Sequence, residues 1–424
     1  MQNSNILIIK PRGERTMKKI MMSLLAGTIL FASSNTFASD ASNTLDFDWE
    51  NDSQYYFQLK DVGSSWVTRG KEGYYIRLGD LLYFADFQLE MVFPLCSKPD
   101  CTHQGEEEIA DRANCEAYLG NSDCGYSLQY YQDMIYGVSL WDFAEEEPYS
   151  DFTGRLYSFS SDGLYRKEAA VQAAFKRPPV LHRGYCYYVY AENSSDNAGK
   201  VTTVTRLARQ KVDGSQEEIL LADNEINALT GLLAYQDYIY FTYWIDNDRY
   251  ILIYNTKNGE SHYLSEDGYE AVFFSFEGDH MLLTYAGTED DQPVYVADLD
   301  GTVTGQLEDF LIEPNCKAYS DGTYLYVDNE SQYEVWTGEI PWKISYYDRD
   351  TLEYVGDLEI DSEIASPGFL PIGDENYTFW YKLKDDGETE QIWYLDKSKL
   401  ADQMATPQLL LEGKTYNMSW TSLE

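Results

Sequence analysis

Six cysteines and four histidines are the residues of this chain best suited to metal or nucleophilic chemistry. They are unevenly placed. Cys96, Cys101, His103, Cys115 and Cys124 fall in one stretch, PLCSKPDCTHQ followed by CEAYLGNSDC, while Cys186 and Cys316 stand apart. Clustered cysteines in a secreted chain imply disulfides, and four of them allow three pairings that spacing does not distinguish. The same stretch offers Cys96, Cys101, His103 and Cys115 as ligands at C-x4-C-x-H-x11-C spacing. Three soft thiolates and one imidazole suit tetrahedral Zn²⁺. A disulfide needs no histidine, so His103, two residues after Cys101, speaks for the metal; free thiols are the third reading. On every reading the stretch is a clamp, because a catalytic zinc keeps one coordination position open. The expectation is a structural zinc at these four residues, or disulfides among Cys96, Cys101, Cys115 and Cys124, and no catalytic residue there.

Other chemistry is hard to find. The chain has no G-x-S-x-G elbow, H-E-x-x-H helix, phosphate-binding glycine loop or dinucleotide fingerprint. His182, His262 and His280 are isolated and read as satisfied core or surface residues. Asp298-Leu-Asp300-Gly301 has the opening of a calcium loop but not its later acids, and a turn explains it. A carboxylate pair for glycoside hydrolysis is a matter of spatial separation, which spacing along the chain does not report.

The chain carries a formal net charge of −41 at pH 7. Phosphate backbones and anionic lipid surfaces are repelled by such a surface, so partners are neutral or cationic and nucleic acid is excluded. Aromatics make up 15% of the residues, with 38 tyrosines, too many for a disordered acidic chain. Residues 17–38 read as a signal peptide. Lys18 and Lys19 precede an apolar run at 20–32, and Thr36-Phe37-Ala38 supplies a small-residue exit. The division is then 1–38 leader, 39–63 an acidic N-terminal extension running along the outside, and 64–424 one domain with a Cys/His insertion at 94–124. The mature chain is expected to be secreted or cell-surface, monomeric, and without a transmembrane helix.

The elements that must position the cluster are strands. The stretch YQDYIYFTYWIDNDRYILIYNTKNGE from Tyr235 reads as hairpins turning at Gln236-Asp237 and at Asn258-Gly259, the latter predicted as type I′. Its strands are apolar on both faces and must be covered on both. Similar units begin near Gly73, Asp133, Gly184, Asp237, Gly278, Gly322 and Asp374, roughly 40–60 residues apart, the period of a propeller blade. Barrel and sandwich strands expose one face and alternate, whereas a blade packed between two others is covered on both. The fold class is therefore all-β, a β-propeller of seven blades, six or eight if a degenerate strand pair hides at 52–66. Innermost strands are expected near 127–130, 179–182, 228–233, 271–275, 316–319 and 368–371. The closing residues 415–424 are expected to latch onto the first blade. Helix is expected only at 104–118 and 398–404.

The strands LYFADFQLE and VYVADLDGT resemble the YWTD-type repeat of low-density-lipoprotein-receptor-like propellers and also TolB-like propellers. The PLCSKPDCTHQ…CEAYLG segment is similar to one in secreted Firmicute β-propeller proteins of unknown function. This resemblance covers roughly residues 65–415. It implies the fold and an extracytoplasmic setting, and it assigns no activity. The lipobox cysteine of the lipid-anchored members is missing here. Two functions follow for such a chain: a non-catalytic binding or scaffold protein recognising an extracellular protein or glycan, or a carbohydrate-active enzyme with a carboxylate pair in the channel.

Overall fold

In the computed structural model the described residues are 47–58, 65–103, 114–119, 127–139, 154–171, 177–195, 201–223, 228–245, 248–264, 270–286, 291–314, 316–329, 333–337, 339–361, 372–401 and 405–414, with single positions between some of them. They form seven four-stranded antiparallel sheets, each from consecutive strands, arranged as the blades of a ring. The blades span 67–94, 128–168, 180–223, 228–263, 270–312, 317–360 and 372–414, numbered one to seven below. Innermost strands are Val67–Arg69, Leu128–Tyr131, Val180–His182, Ala228–Tyr235, Glu270–Glu277, Lys317–Ser320 and Ile372–Gly373. The seventh lies just after the expected 368–371, which falls outside the described residues.

Burial explains the absence of alternation. All six residues of the second strand of blade one, Gly73–Leu78, are buried, and so are five of six in Met134–Ser139 of blade two. Farther from the axis the solvent-facing side returns, and the outermost strand Tyr354–Ile360 alternates between exposed and buried. Apolar clusters fill the seams. One joins blades one and two, one joins two and three, and others join three to four, four to five, and five to six. The largest runs from blade six through seven to one, around Trp66, Trp342 and Trp380. Fully burying one such side chain stabilises by roughly 1.5–3 kcal/mol.

Several details differ from expectation. Blade one is built wholly from 67–94 and blade seven wholly from 372–414, so no strand is exchanged between them among the described residues. Residues 415–424 lie outside that set. Among the described residues Tyr55–Phe57 and Lys397–Lys399 are 3₁₀ turns, Tyr333–Trp336, not foreseen, is a four-residue α-helix, and Asn114, within the expected 104–118, is helical. Residues 104–113 lie outside the described set. The loop at Asn258-Gly259 is not a two-residue type I′ turn. Only Gly259 has positive φ, and Gly259 N–H reaches back to the Asn255 carbonyl at 2.9 Å across a longer loop. Type I′ geometry, with both central φ positive, occurs instead at Gln132-Asp133 and Arg183-Gly184. Among the described residues no helix is long and apolar enough to cross a membrane.

Candidate functional site

The cluster begins where blade one ends. The outermost strand Val92–Pro94 is short and delivers Leu95 and Cys96 to the seam with blade two. The chain then turns through Cys101 and His103, whose backbone is left-handed at φ +52°. It returns at 114–119, where Leu82 N–H donates to the Ala117 carbonyl and Leu119 N–H to the Asp80 carbonyl, both at 2.8 Å. This return segment therefore covers part of the third strand of blade one beyond the reach of Val92–Pro94.

The ligand atoms of Cys96, Cys101, His103 and Cys115 all lie within 4.8 Å of one another. Bonds of about 2.0–2.3 Å to a central ion would set them roughly 3.5–4 Å apart. Cys96, Cys101 and Cys115 are free thiols, and Cys124 lies outside the described residues. His103 Nδ1 is buried and has no hydrogen-bond partner among the described residues. The cluster already donates to sulfur: the backbone N–H of His103 reaches Cys101, and that of Ala117 reaches Cys115. Burial pushes the Cys101 thiol up and the Cys115 thiol well up. A dication at the centre would reverse that preference by stabilising thiolate. Four convergent protein donors, three of them soft, can hold a metal and leave no coordination position for a substrate.

The second feature was not foreseen. The extension at 39–63 does not run along the outside: its described part, 47–58, lies across one mouth of the ring, touches blades one to five and seven, and shares a cavity with blade six. Gln54 exchanges hydrogen bonds with the backbone of Arg69 in blade one, at 2.6 and 2.8 Å. Gln132 N–H of blade two donates to the Glu50 carbonyl at 3.0 Å, and Arg183 N–H of blade three to the Asn51 carbonyl at 2.6 Å. The Tyr55 ring packs on Tyr235 of blade four, and its hydroxyl donates 2.7 Å to the Phe276 carbonyl of blade five. Tyr56 borders a cavity of about 50 Å³ shared with Tyr319, Asp321 and Lys397, between blades six and seven. Phe57 meets Phe379 of blade seven. Asp52, Ser53, Gln54, Tyr55, Phe57 and Gln58 are all buried. The signal available in the sequence was the apolar run Tyr55-Tyr56-Phe57 inside an acidic stretch.

Around this mouth, acids are matched to cations across the seams. Arg69 bridges to Asp374 at 3.0 Å and Glu375 at 2.6 Å. Arg183 binds Asp52 at 2.6 Å and also Asp237. Arg349 holds Glu277 at 2.6 Å, and Lys397 holds Asp321 at 2.8 Å. Burial pushes the Glu277 carboxyl up, but His280 and Arg349 outweigh it and bring it down to about 2. The isolated histidines are engaged. His182 is fully buried with both ring nitrogens bonded, His262 meets the Asp300 carbonyl, and His280 lies between Glu277 and Asp279. Asp300 accepts from Thr302 N–H at 2.9 Å, as a turn residue does.

No described protein family matches the chain, and no curated protein matches it by sequence. Solved structures do match in shape. The crystal structure of a nidogen/laminin complex is 13% identical at a TM-score of 0.32, over 54% of this chain and 76% of that one. TolB from Acinetobacter baumannii is 12% identical at 0.35, over 81% and 78%. An oligogalacturonate lyase in complex with manganese is 12% identical at 0.40, over 80% and 83%. Likeness this distant carries nothing about activity.

Proposed function

We propose that the chain is a secreted or cell-surface, non-catalytic binding or scaffold protein that recognises an extracellular protein or glycan. The observation that carries this reading is the closed mouth. Segment 47–58 is bonded or packed to blades one to five and seven and shares a small cavity with blade six, so it covers one end of the ring, where an open channel would admit a substrate. The acids there are bound to arginine and lysine across the seams, which suits struts better than a general acid and its partner. The cluster of Cys96, Cys101, His103 and Cys115 belongs to this reading as a structural zinc centre. The leader at residues 17–38 supports the extracytoplasmic setting.

The test is a glycan array and an affinity capture from extracellular protein, both with the mature chain, beside a hydrolysis assay on the glycans that bind. Saturable binding without turnover supports the reading. Turnover that is lost on replacing a carboxylate by its amide would replace it with the carbohydrate-active alternative.

A further inference from the structure

Resting on the zinc reading of the cluster, we infer that the ion is a lock across the seam between blades one and two, and that metal occupancy sets whether this seam stays closed. The donors come from two pieces of chain, 96–103 and 115. Both pieces are stitched to blade two. Ser97 donates its backbone N–H and its hydroxyl to the Gly163 carbonyl, each at 3.1 Å. The Arg166 guanidinium donates to the carbonyls of Cys115 at 2.8 Å and Tyr118 at 2.7 Å. Leu119 presses on Gly137 so closely that a Cβ there would meet it at 2.9 Å. The same segment is bonded to blade one through Leu82 and Asp80. Pulling the four donors onto one ion therefore draws together two pieces that grip two blades.

At the closed mouth this seam has a more exposed ion pair than several others. At three other seams the ion pair at this mouth is shielded, Arg69–Asp374 at 20% and 1% exposure, Arg349–Glu277 at 19% and 15%, Lys397–Asp321 at 10% and 14%, and Arg183–Asp237 between blades three and four is half-shielded at 36% and 22%. Between blades one and two the pair is Lys71–Asp133, at 51% and 58%. So exposed a pair contributes little. Without an ion this seam holds three free thiols, Cys115 buried and Cys96 and Cys101 half-buried, and an imidazole nitrogen with no partner among the described residues. With one, each donor gains a bond, and the site is tetrahedral and closed, as zinc and its probe Co²⁺ adopt.

The experiment uses the full purified chain. Metal is measured by elemental analysis and by Co²⁺ substitution, whose thiolate charge-transfer bands report sulfur ligation. Amide hydrogen exchange is then compared before chelation, after chelation, and after zinc is restored. The expected result is about one zinc per chain. Exchange after chelation should rise on the order of tenfold in 81–85, 115–119, 128–139 and 155–168, stay unchanged in blades four to six, and reverse with zinc. His103→Ala should give the chelated pattern without a chelator, and it keeps the inference testable if Cys115→Ser fails to fold. Zinc bound with exchange unchanged, or raised evenly around the ring, overturns the lock and leaves the metal reading intact. Absence of metal, or a native Cys96–Cys101 disulfide found by mass spectrometry, overturns both.

Discussion

Ser53 donates its backbone N–H to Nδ1 of His182 at 3.1 Å, 129 residues away in sequence. Nε2 of the same ring lies 2.5 Å from the Gln236 carbonyl, so Nε2 carries the proton and Nδ1 is bare. One neutral imidazole thus joins the mouth segment to blades three and four. Burial lowers the His182 pKa below its ordinary 6.5, against Asp52 at 3.8 Å and alongside Arg183. The unfolded chain takes up this proton first as pH falls. The stability it contributes is whole above pH 6.5 and declines as pH drops from there through the lower folded pKa. Each tenfold difference in proton affinity between the two states is worth about 1.4 kcal/mol. His280 works the other way. Its pKa is raised by Glu277, so its contribution is whole below 6.5 and is lost as pH rises. Melting temperature should therefore fall between pH 6.5 and 5, and His280→Gln should leave that slope nearly unchanged, because the His280 contribution is already whole in this window. Adding His182→Gln should flatten that slope. A slope unaffected by His182→Gln would refute the assignment.

Tyr55 tests whether the mouth segment closes the ring. Its ring packs between Tyr235 and Phe276, and its hydroxyl is buried on the Phe276 carbonyl. Tyr55→Phe should cost about 1–2 kcal/mol, the worth of a buried hydrogen bond with one partner left behind. Tyr55→Ala should cost roughly 3–5 kcal/mol. Urea melts read both. A loss under about 0.5 kcal/mol for the alanine variant would mean that the segment is dispensable to the ring.

Gly163 and Gly184 form a controlled pair. Both have positive φ, +69° and +89°, where a side chain is strained by roughly 1–2 kcal/mol. A Cβ at Gly184 meets nothing within 4 Å, whereas one at Gly163 comes within 2.9 Å of the Leu95 backbone across the seam. Gly163→Ala should therefore destabilise more than Gly184→Ala, by at least about 1 kcal/mol, because backbone cannot rotate away. Equal losses in chemical denaturation would argue that blades one and two are not in this contact.

The net charge of −41 sets a boundary on partners. Gel-shift assays at low salt should show no DNA binding, since approaching phosphates meet repulsion that weakens only as salt rises. A complex that forms at low salt and dissociates as salt is added would contradict this.

What the sequence determines here is what each strand carries in itself. Coverage on both faces is written into Gly73–Leu78 and Tyr238–Ile245 as near-continuous apolar residues, broken only by Arg77 and Thr242, and their recurrence along the chain specifies a ring of blades. Outermost strands such as Arg166–Glu168 and Ser261–Tyr263 are short and polar, held by one neighbour's ladder, and leave no comparable pattern. The residue types and order of Cys96, Cys101, His103 and Cys115 make a metal centre chemically readable. Only the fold brings 114–119 back onto blade one, beside Arg166 of blade two. The mouth segment was the least legible part. Its polar residues look like solvent-exposed chain, because the groups that satisfy them, Arg69 of blade one, His182 and Arg183 of blade three and Phe276 of blade five, come from three distant parts of the chain. They meet Asp52, Ser53, Gln54 and Tyr55 only once the ring has closed, so tertiary structure alone decides that this acidic stretch is buried.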